Sequence, residues 1–292
     1  MTAKTQLLKR MRSHGTLLCV GLDPDYRKLP REVLETPGMI AKIIEYIRGE
    51  KKEEKVLTFL RAVVDVTGPH VCAYKVQKAF FDLYPGGHHL LQEIIRYVHN
   101  TCPGVPVIVD CKIGDIDNTM AAYTENLFDL IQADGIVVNP YMGDDVIAPL
   151  MERTDKAIVV LVKTSNVSGG IVQDVLLQDG RPLWQYMLDL VVNRWNRADN
   201  MIPVLSSTVG LDMSKIRQQI PDTMPILLAG VGAQGGNYDD LRKLLNSQGD
   251  GVFINSSRGI LYPDSTLSWQ LAIEAAAIAT KNSINQARRA KS

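Results

Sequence analysis

The feature that most constrains this chain is a rhythm. Short apolar runs rich in β-branched residues alternate with stretches of helical spacing, almost from end to end. The runs are Thr16–Pro24, Val71–Lys75, 105–112, Gly135–Asn139, Ala157–Lys163, Ile202–Ser207, Pro225–Gly230 and Gly251–Asn255. Helical spacing is predicted over 5–14, 38–66, 87–100, 117–132, 144–153, 182–198, 213–219, 239–247 and 267–289, with a charged insert from Arg48 to Lys55 as a solvated face between two helices. Strands that are apolar on both faces need cover on both sides, which argues for a parallel sheet wrapped by crossover helices. About eight such units in 292 residues predict an α/β fold, the closed (β/α)8 TIM barrel, rather than an open doubly wound sheet. The glycine fingerprint that would favour the open sheet does not follow the first strand, where Gly21-Leu22-Asp23-Pro24 stands instead. One domain spanning 1–292 is expected, with an opening helix at about 5–14 and a closing C-terminal helix.

Charge and cysteine usage narrow the partners. Equal numbers of acidic and basic residues give a formal net charge of zero. A neutral balance supplies no general attraction to nucleic acid or an anionic membrane. No apolar run approaches membrane-spanning length, and the first residues lack the apolar core of a secretion signal. Cys19, Cys72, Cys102 and Cys111 are scattered without metal-ligand spacing, and three of them sit in apolar strand runs, as core residues in a reducing compartment would. A soluble cytoplasmic protein is the expectation.

In such barrels chemistry occupies the C-terminal ends of the strands. Those ends deliver Asp23, Lys75, Asp110 with Lys112, Asn139, Lys163 with Ser165, Ser206, Gly230 and Asn255. The densest stretch is Val107–Ile116. Strand alternation points Asp110 and Lys112 the same way. Asp115 follows on a turn loosened by Gly114, from which it can fold back or reach a neighbouring chain. Each group alone could be a structural ion pair at a strand end. Together they alternate acid and amine at one mouth, which keeps carboxylates ionised and lysines protonated near neutral pH.

A second signal lies near the other end of the chain. Gly230-Val231-Gly232-Ala233-Gln234-Gly235-Gly236 follows the seventh strand, and Ser256-Ser257-Arg258-Gly259 follows the eighth. Glycines let backbone N–H groups converge on an anion, and Arg258 can add a bidentate contact. A glycine-rich loop by itself is only a tight turn. After strands seven and eight of this barrel it is the recurrent phosphate site, so a phosphate monoester is expected.

Asp110-x-Lys112-x-x-Asp115-Ile116, an upstream strand-end Lys75 and this glycine loop resemble the orotidine 5′-phosphate decarboxylase family. The similarity runs through Val20–Pro24, Ala73–Phe81, Asp110–Tyr123, Lys163–Asn166 and Gly230–Gly236, and the long segment before Lys75 is similar to the longer bacterial branch. Val76 departs from that branch, which often has proline there. The resemblance implies decarboxylation of orotidine 5′-monophosphate to uridine 5′-monophosphate, the last step of de novo pyrimidine nucleotide synthesis, with no cofactor and no metal. It implies that Asp23 and Lys75 hold the ribose hydroxyls, that Asp110 faces the substrate carboxylate, and that Lys112 protonates the carbon losing carbon dioxide. Asp115 and Thr119 would enter the neighbouring site of a homodimer with shared active sites. Ser165 would meet the pyrimidine amide edge, and Gly232, Gln234, Gly235 and Arg258 the phosphate. Loops 165–180 and 206–213, with Gly169-Gly170 and Gly210, are the candidate lids.

Three rivals fit parts of the pattern. A related metal-dependent sugar-phosphate decarboxylase would use a similar acid–lysine–acid strand. A Schiff-base aldolase would use Lys112 or Lys163, although a lysine flanked by carboxylates is a poor amine nucleophile. A non-catalytic nucleotide-binding barrel would need only the phosphate loop, which leaves the set Lys75, Asp110, Lys112 and Asp115 without a purpose.

Overall fold

The computed structural model describes residues 1–35, 52–208, 210–231 and 238–289. Its strands close into a parallel barrel in chain order: β1 (Leu18–Gly21), β2 (Ala73–Gln77), β3 (Val107–Ile113), β4 (Gly135–Val138), β5 (Ala157–Leu161), β6 (Met201–Ser206), β7 (Ile226–Ala229) and β8 (Val252–Ser256), with β8 pairing back onto β1. The runs that looked apolar on both faces are buried on both faces. Every residue of β1, β4 and β6 is buried, and Val, Ile and Leu dominate the core between strands and helices. Burial of one such side chain contributes about 1.5–3 kcal/mol.

The opening helix, Ala3–Ser13, begins two residues before the predicted start because Thr2 caps it, its hydroxyl accepting from the Thr5 N–H. It lies across the N-terminal ends of the strands. Ala3 N–H donates to the Asp155 carbonyl just ahead of β5, and the Arg10 guanidinium donates to the carbonyls of Gly68 and Val71 just ahead of β2. Arg12 donates to the fully buried Asp250 just ahead of β8, a carboxylate that Asn246 also satisfies. One face of the barrel is thereby sealed. The opposite face, at the C-terminal strand ends, is the mouth.

Helical expectations hold with three differences. The region 38–66 is described only from Lys52 onward, as helix Lys52–Thr67, so Lys52–Lys55 form its first turn rather than a break; the earlier part lies outside the described residues. The segments 117–132 and 182–198 are not single α-helices. Each starts as one, over Asp117–Thr124 and Leu183–Asp189, and then widens into π-type turns over Glu125–Leu130 and Leu190–Trp195. A widened turn rephases the residues after it. Trp195, at the end of the second, is buried with its indole N–H on Asp144 at 2.8 Å. No helix among the described residues is long and apolar enough to cross a membrane.

Candidate active site

The mouth begins at β3. Val107, Ile108 and Val109 are buried, and Asp110 follows them inward while remaining buried itself. The ladder to β4 then slips: Asp110 aligns with Val137, but Val138 aligns with Ile113. Lys112 occupies the slip with φ of +47°, the left-handed region that a lysine seldom adopts. Asp110 and Lys112 therefore meet, as alternation predicted, but through a kinked strand end rather than a regular one. Lys112 Nζ donates to Asp110 Oδ1 at 2.6 Å.

The other oxygen of that carboxylate faces β2. Lys75 Nζ lies 3.2 Å from Asp110 Oδ2, and the Lys75 side chain is 8% exposed. Burial pushes the Lys75 ammonium toward lower pKa. The nearby carboxylates of Asp23 and Asp110 outweigh that and leave it raised above the usual lysine value, so the amine is protonated at neutral pH. Asp23 is tied to the same strand, its Oδ1 accepting from the Gln77 N–H at 3.0 Å. A buried carboxylate without partners is costly, and two ammonium groups satisfy Asp110 here. The result is a bonded run, Lys75, Asp110, Lys112, with Asp23 acting on Lys75 through its charge, across the ends of β1, β2 and β3.

Beside Asp23 opens a cavity of about 630 Å³, lined among others by Gln77, Asn255, Ser257, Arg258 and Tyr262. Arg258 is exposed at the start of the short helix Arg258–Leu261, and Gly230, with φ of +87°, turns the chain out of β7 into the same space. Lys112, at the C-terminal end of β3, and Arg258, just past β8, stand on the same side of one closed parallel barrel. Gly232, Gln234 and Gly235, the remaining expected phosphate residues, lie outside the described residues.

Neither Asp115 nor Thr119 joins this run of charges. Asp115 Oδ1 accepts from the adjacent Ile116 N–H, and among the described residues it makes no ion pair. Gly114 proves to be a point of close approach rather than looseness: a Cβ there would stand 2.2 Å from the Asn139 carbonyl oxygen, so the turn carrying Asp115 is pressed onto the end of β4. Thr119 is exposed and lines a different cavity, of about 390 Å³, with Lys78, His88 and Tyr123. Ser165 is half-buried, and its carbonyl accepts from the Thr208 hydroxyl at 3.3 Å, which joins the loops after β5 and β6. Lys163 is buried and engaged by Asp174, so its amine is not presented as a nucleophile.

Some residues escaped the sequence reading. Tyr262 lines the cavity, takes a hydrogen bond from the Asp25 N–H at 2.7 Å, and stacks on Phe59 at 5.7 Å. Burial pushes its hydroxyl up to about 12, so it remains a neutral phenol. It follows Arg258 by one helical turn, a spacing that could have revealed it. Lys28 lies over the same ring, 5.7 Å from its centroid. Neither sits at a strand end.

A closed parallel barrel with an amine–carboxylate–amine chain beside a polar cavity at its C-terminal mouth defines a (β/α)8-barrel enzyme for a small anionic ligand. The profile of the orotidine 5′-phosphate decarboxylase / HUMPS family matches residues 16–266, and the chain belongs to that family. It is 39% identical over 284 residues to the orotidine 5′-phosphate decarboxylase of Ralstonia pickettii, covering 97% of this chain and 98% of that one. It is 38% identical over 289 residues to the enzyme of the same name from Cupriavidus metallidurans, covering 99% of each. The solved structure of Leishmania donovani OMP decarboxylase superposes with a TM-score of 0.79 at 29% identity, covering 99% of this chain and 100% of that one.

Proposed function

We propose that this protein decarboxylates orotidine 5′-monophosphate to uridine 5′-monophosphate, using its own charged residues without a cofactor. The observation that carries the reading is the sharing of one buried carboxylate, Asp110, between Lys75 and Lys112. Loss of carbon dioxide from a ring carbon with no electron sink leaves a carbanion in the ring plane. An ammonium already held at that point stabilises the developing charge and then supplies the proton. Lys112 has the exposure for this role: its side chain is 45% exposed toward the mouth, while Lys75 is enclosed. Asp110 would lie against the departing carboxylate, and Lys75 with Asp23 would orient the ribose.

At the far end, Arg258 and the loop through Gly232, Gln234 and Gly235 would hold the phosphate. Its binding energy can then serve positioning at a carbon it never touches. Ser165 would meet the pyrimidine amide edge. Asp115 and Thr119 would act across a homodimer interface. Ile116, Tyr123, Tyr141 and Met142, all exposed apolar residues after β3 and β4, support a partner on that side.

The direct test adds orotidine 5′-monophosphate to the purified protein with a chelator present and follows loss of the orotate absorbance. Turnover unaffected by the chelator is expected. No turnover, or turnover abolished by chelation and restored by a divalent metal, would overturn the reading.

A further inference from the structure

Lys163 takes no part in the chain of charges at the mouth, yet it is the most deeply enclosed lysine beside it. It stands just beyond β5, its N–H still on the Val204 carbonyl of β6, with its side chain 2% exposed. Its Nζ lies 2.5 Å from Asp174 Oδ1. The neighbouring pair repeats the closure. Gln173 Oε1 accepts from the Thr164 N–H at 3.1 Å, and Gln173 Nε2 donates to the Thr164 hydroxyl at 2.7 Å. Two successive residues leaving the barrel are thus fastened to two successive residues returning, and the stretch between them is a loop with a closed neck.

Ser165 and Asn166 are the first residues inside that neck. Asn166 Oδ1 accepts from the Thr164 hydroxyl at 2.7 Å, so the neck and the first turn of the loop are one hydrogen-bonded unit. Beyond it, Val167, Ile171 and Val172 point outward and are exposed. Apolar burial therefore does little to fix this loop. What fixes it is polar: the neck, with an enclosed ammonium at its centre, and the Thr208 hydroxyl on the Ser165 carbonyl.

We infer that Lys163 and Asp174 form a positioning pair that sets Ser165 at the mouth for the base of the nucleotide. The inference rests on the decarboxylase reading, in which Ser165 meets the pyrimidine. Without the pair, the loop must be ordered when the nucleotide binds, and that entropy is subtracted from affinity. The loss should fall on ligands that carry a base and spare those that do not. It should appear in KM rather than kcat, because the ordering is complete in both the bound ground state and the transition state.

The test uses Asp174, which is half exposed, so that its replacement spares the core. Uridine 5′-monophosphate and ribose 5-phosphate are titrated calorimetrically into the wild type, Asp174→Asn, Ser165→Ala and the double variant. Asp174→Asn should bind uridine 5′-monophosphate on the order of tenfold more weakly, leave ribose 5-phosphate unchanged, and raise KM for orotidine 5′-monophosphate at nearly constant kcat. Asp174→Glu should recover part of the loss. The double variant should lose no more than the worse single one, because both act through one contact. Wild-type affinity in Asp174→Asn, equal losses for both ligands, or additive losses in the double variant would overturn the inference while leaving the decarboxylase reading intact. A wild type that binds neither ligand would overturn both.

Discussion

Lys112 reaches Asp110 from a left-handed backbone: its φ is +47°, and its Nζ lies 2.6 Å from Asp110 Oδ1. The amine meets, through a kinked strand end, a carboxylate that Lys75 already shares. If Lys112 both stabilises and protonates the carbanion as proposed, its replacement by alanine should abolish decarboxylation, a loss of at least about 10³-fold. Binding of uridine 5′-monophosphate should remain measurable by calorimetry. Retained turnover would reassign the proton donor.

Asp115 forms no ion pair among the described residues, and the turn that carries it is pressed onto the end of β4. If it completes a neighbour's site, Asp115→Ala and Lys112→Ala, each inactive alone, should regain activity on mixing. Subunit exchange then yields heterodimers with one intact site in every two. A mixture as silent as its components would show that Asp115 works within its own chain.

Arg258 and Asp23 line one cavity, whose lining includes neither Lys75 nor Lys112. Arg258→Ala should weaken uridine 5′-monophosphate by about 1.5–3 kcal/mol, the usual worth of a hydrogen bond to a charged group, and hardly affect uridine. Dissociation constants for the pair decide the matter, since equal losses would move the phosphate elsewhere.

The tie between Asp144 and the widened turn at Leu190–Trp195 makes a prediction about acid. Hydrogen bonds from Arg194 first, and then from the Trp195 indole, hold the Asp144 carboxyl down at about 2, against 3.8 for an unperturbed aspartate. A lowered native pKa adds stability that is present above the unfolded value and disappears as pH falls from about 4 toward 2. The carboxylate is half exposed, so solvent screening limits the contribution to about 1 kcal/mol or less. Asp144→Asn should lower the thermal midpoint at pH 6 and narrow its gap from wild type at pH 2.5. A gap that stays constant across that range would show the tie contributes nothing electrostatic.

The barrel was legible because β-branched runs such as Ile136–Val138 and Ala157–Leu161 can be buried on both faces only in a covered parallel sheet. The charges at the mouth were legible because Asp23, Lys75 and Asp110 end those runs. What stayed hidden depends on geometry that periodicity does not encode. The slip between β3 and β4 is two residues of register, and nothing in Asp110-Cys111-Lys112 announces it. The engagement of Lys163 could not be read because Asp174 lies eleven residues on, at no repeat spacing. Tyr262 and Lys28 were not legible because neither sits at a strand end, whereas the cavity also draws on the segments that follow the strands.

The conformation at Lys112 has a bearing on how such a protein loses its activity. Glycine occupies the left-handed region freely and asparagine more readily than lysine does, while lysine forgoes about 1–2 kcal/mol to stand there. Replacement by either residue would relieve the backbone and at the same time take the amine away from Asp110. The same replacement would leave the buried Asp110 carboxylate with Lys75 as its remaining ammonium partner, so relief of the backbone is set against a loss at the carboxylate.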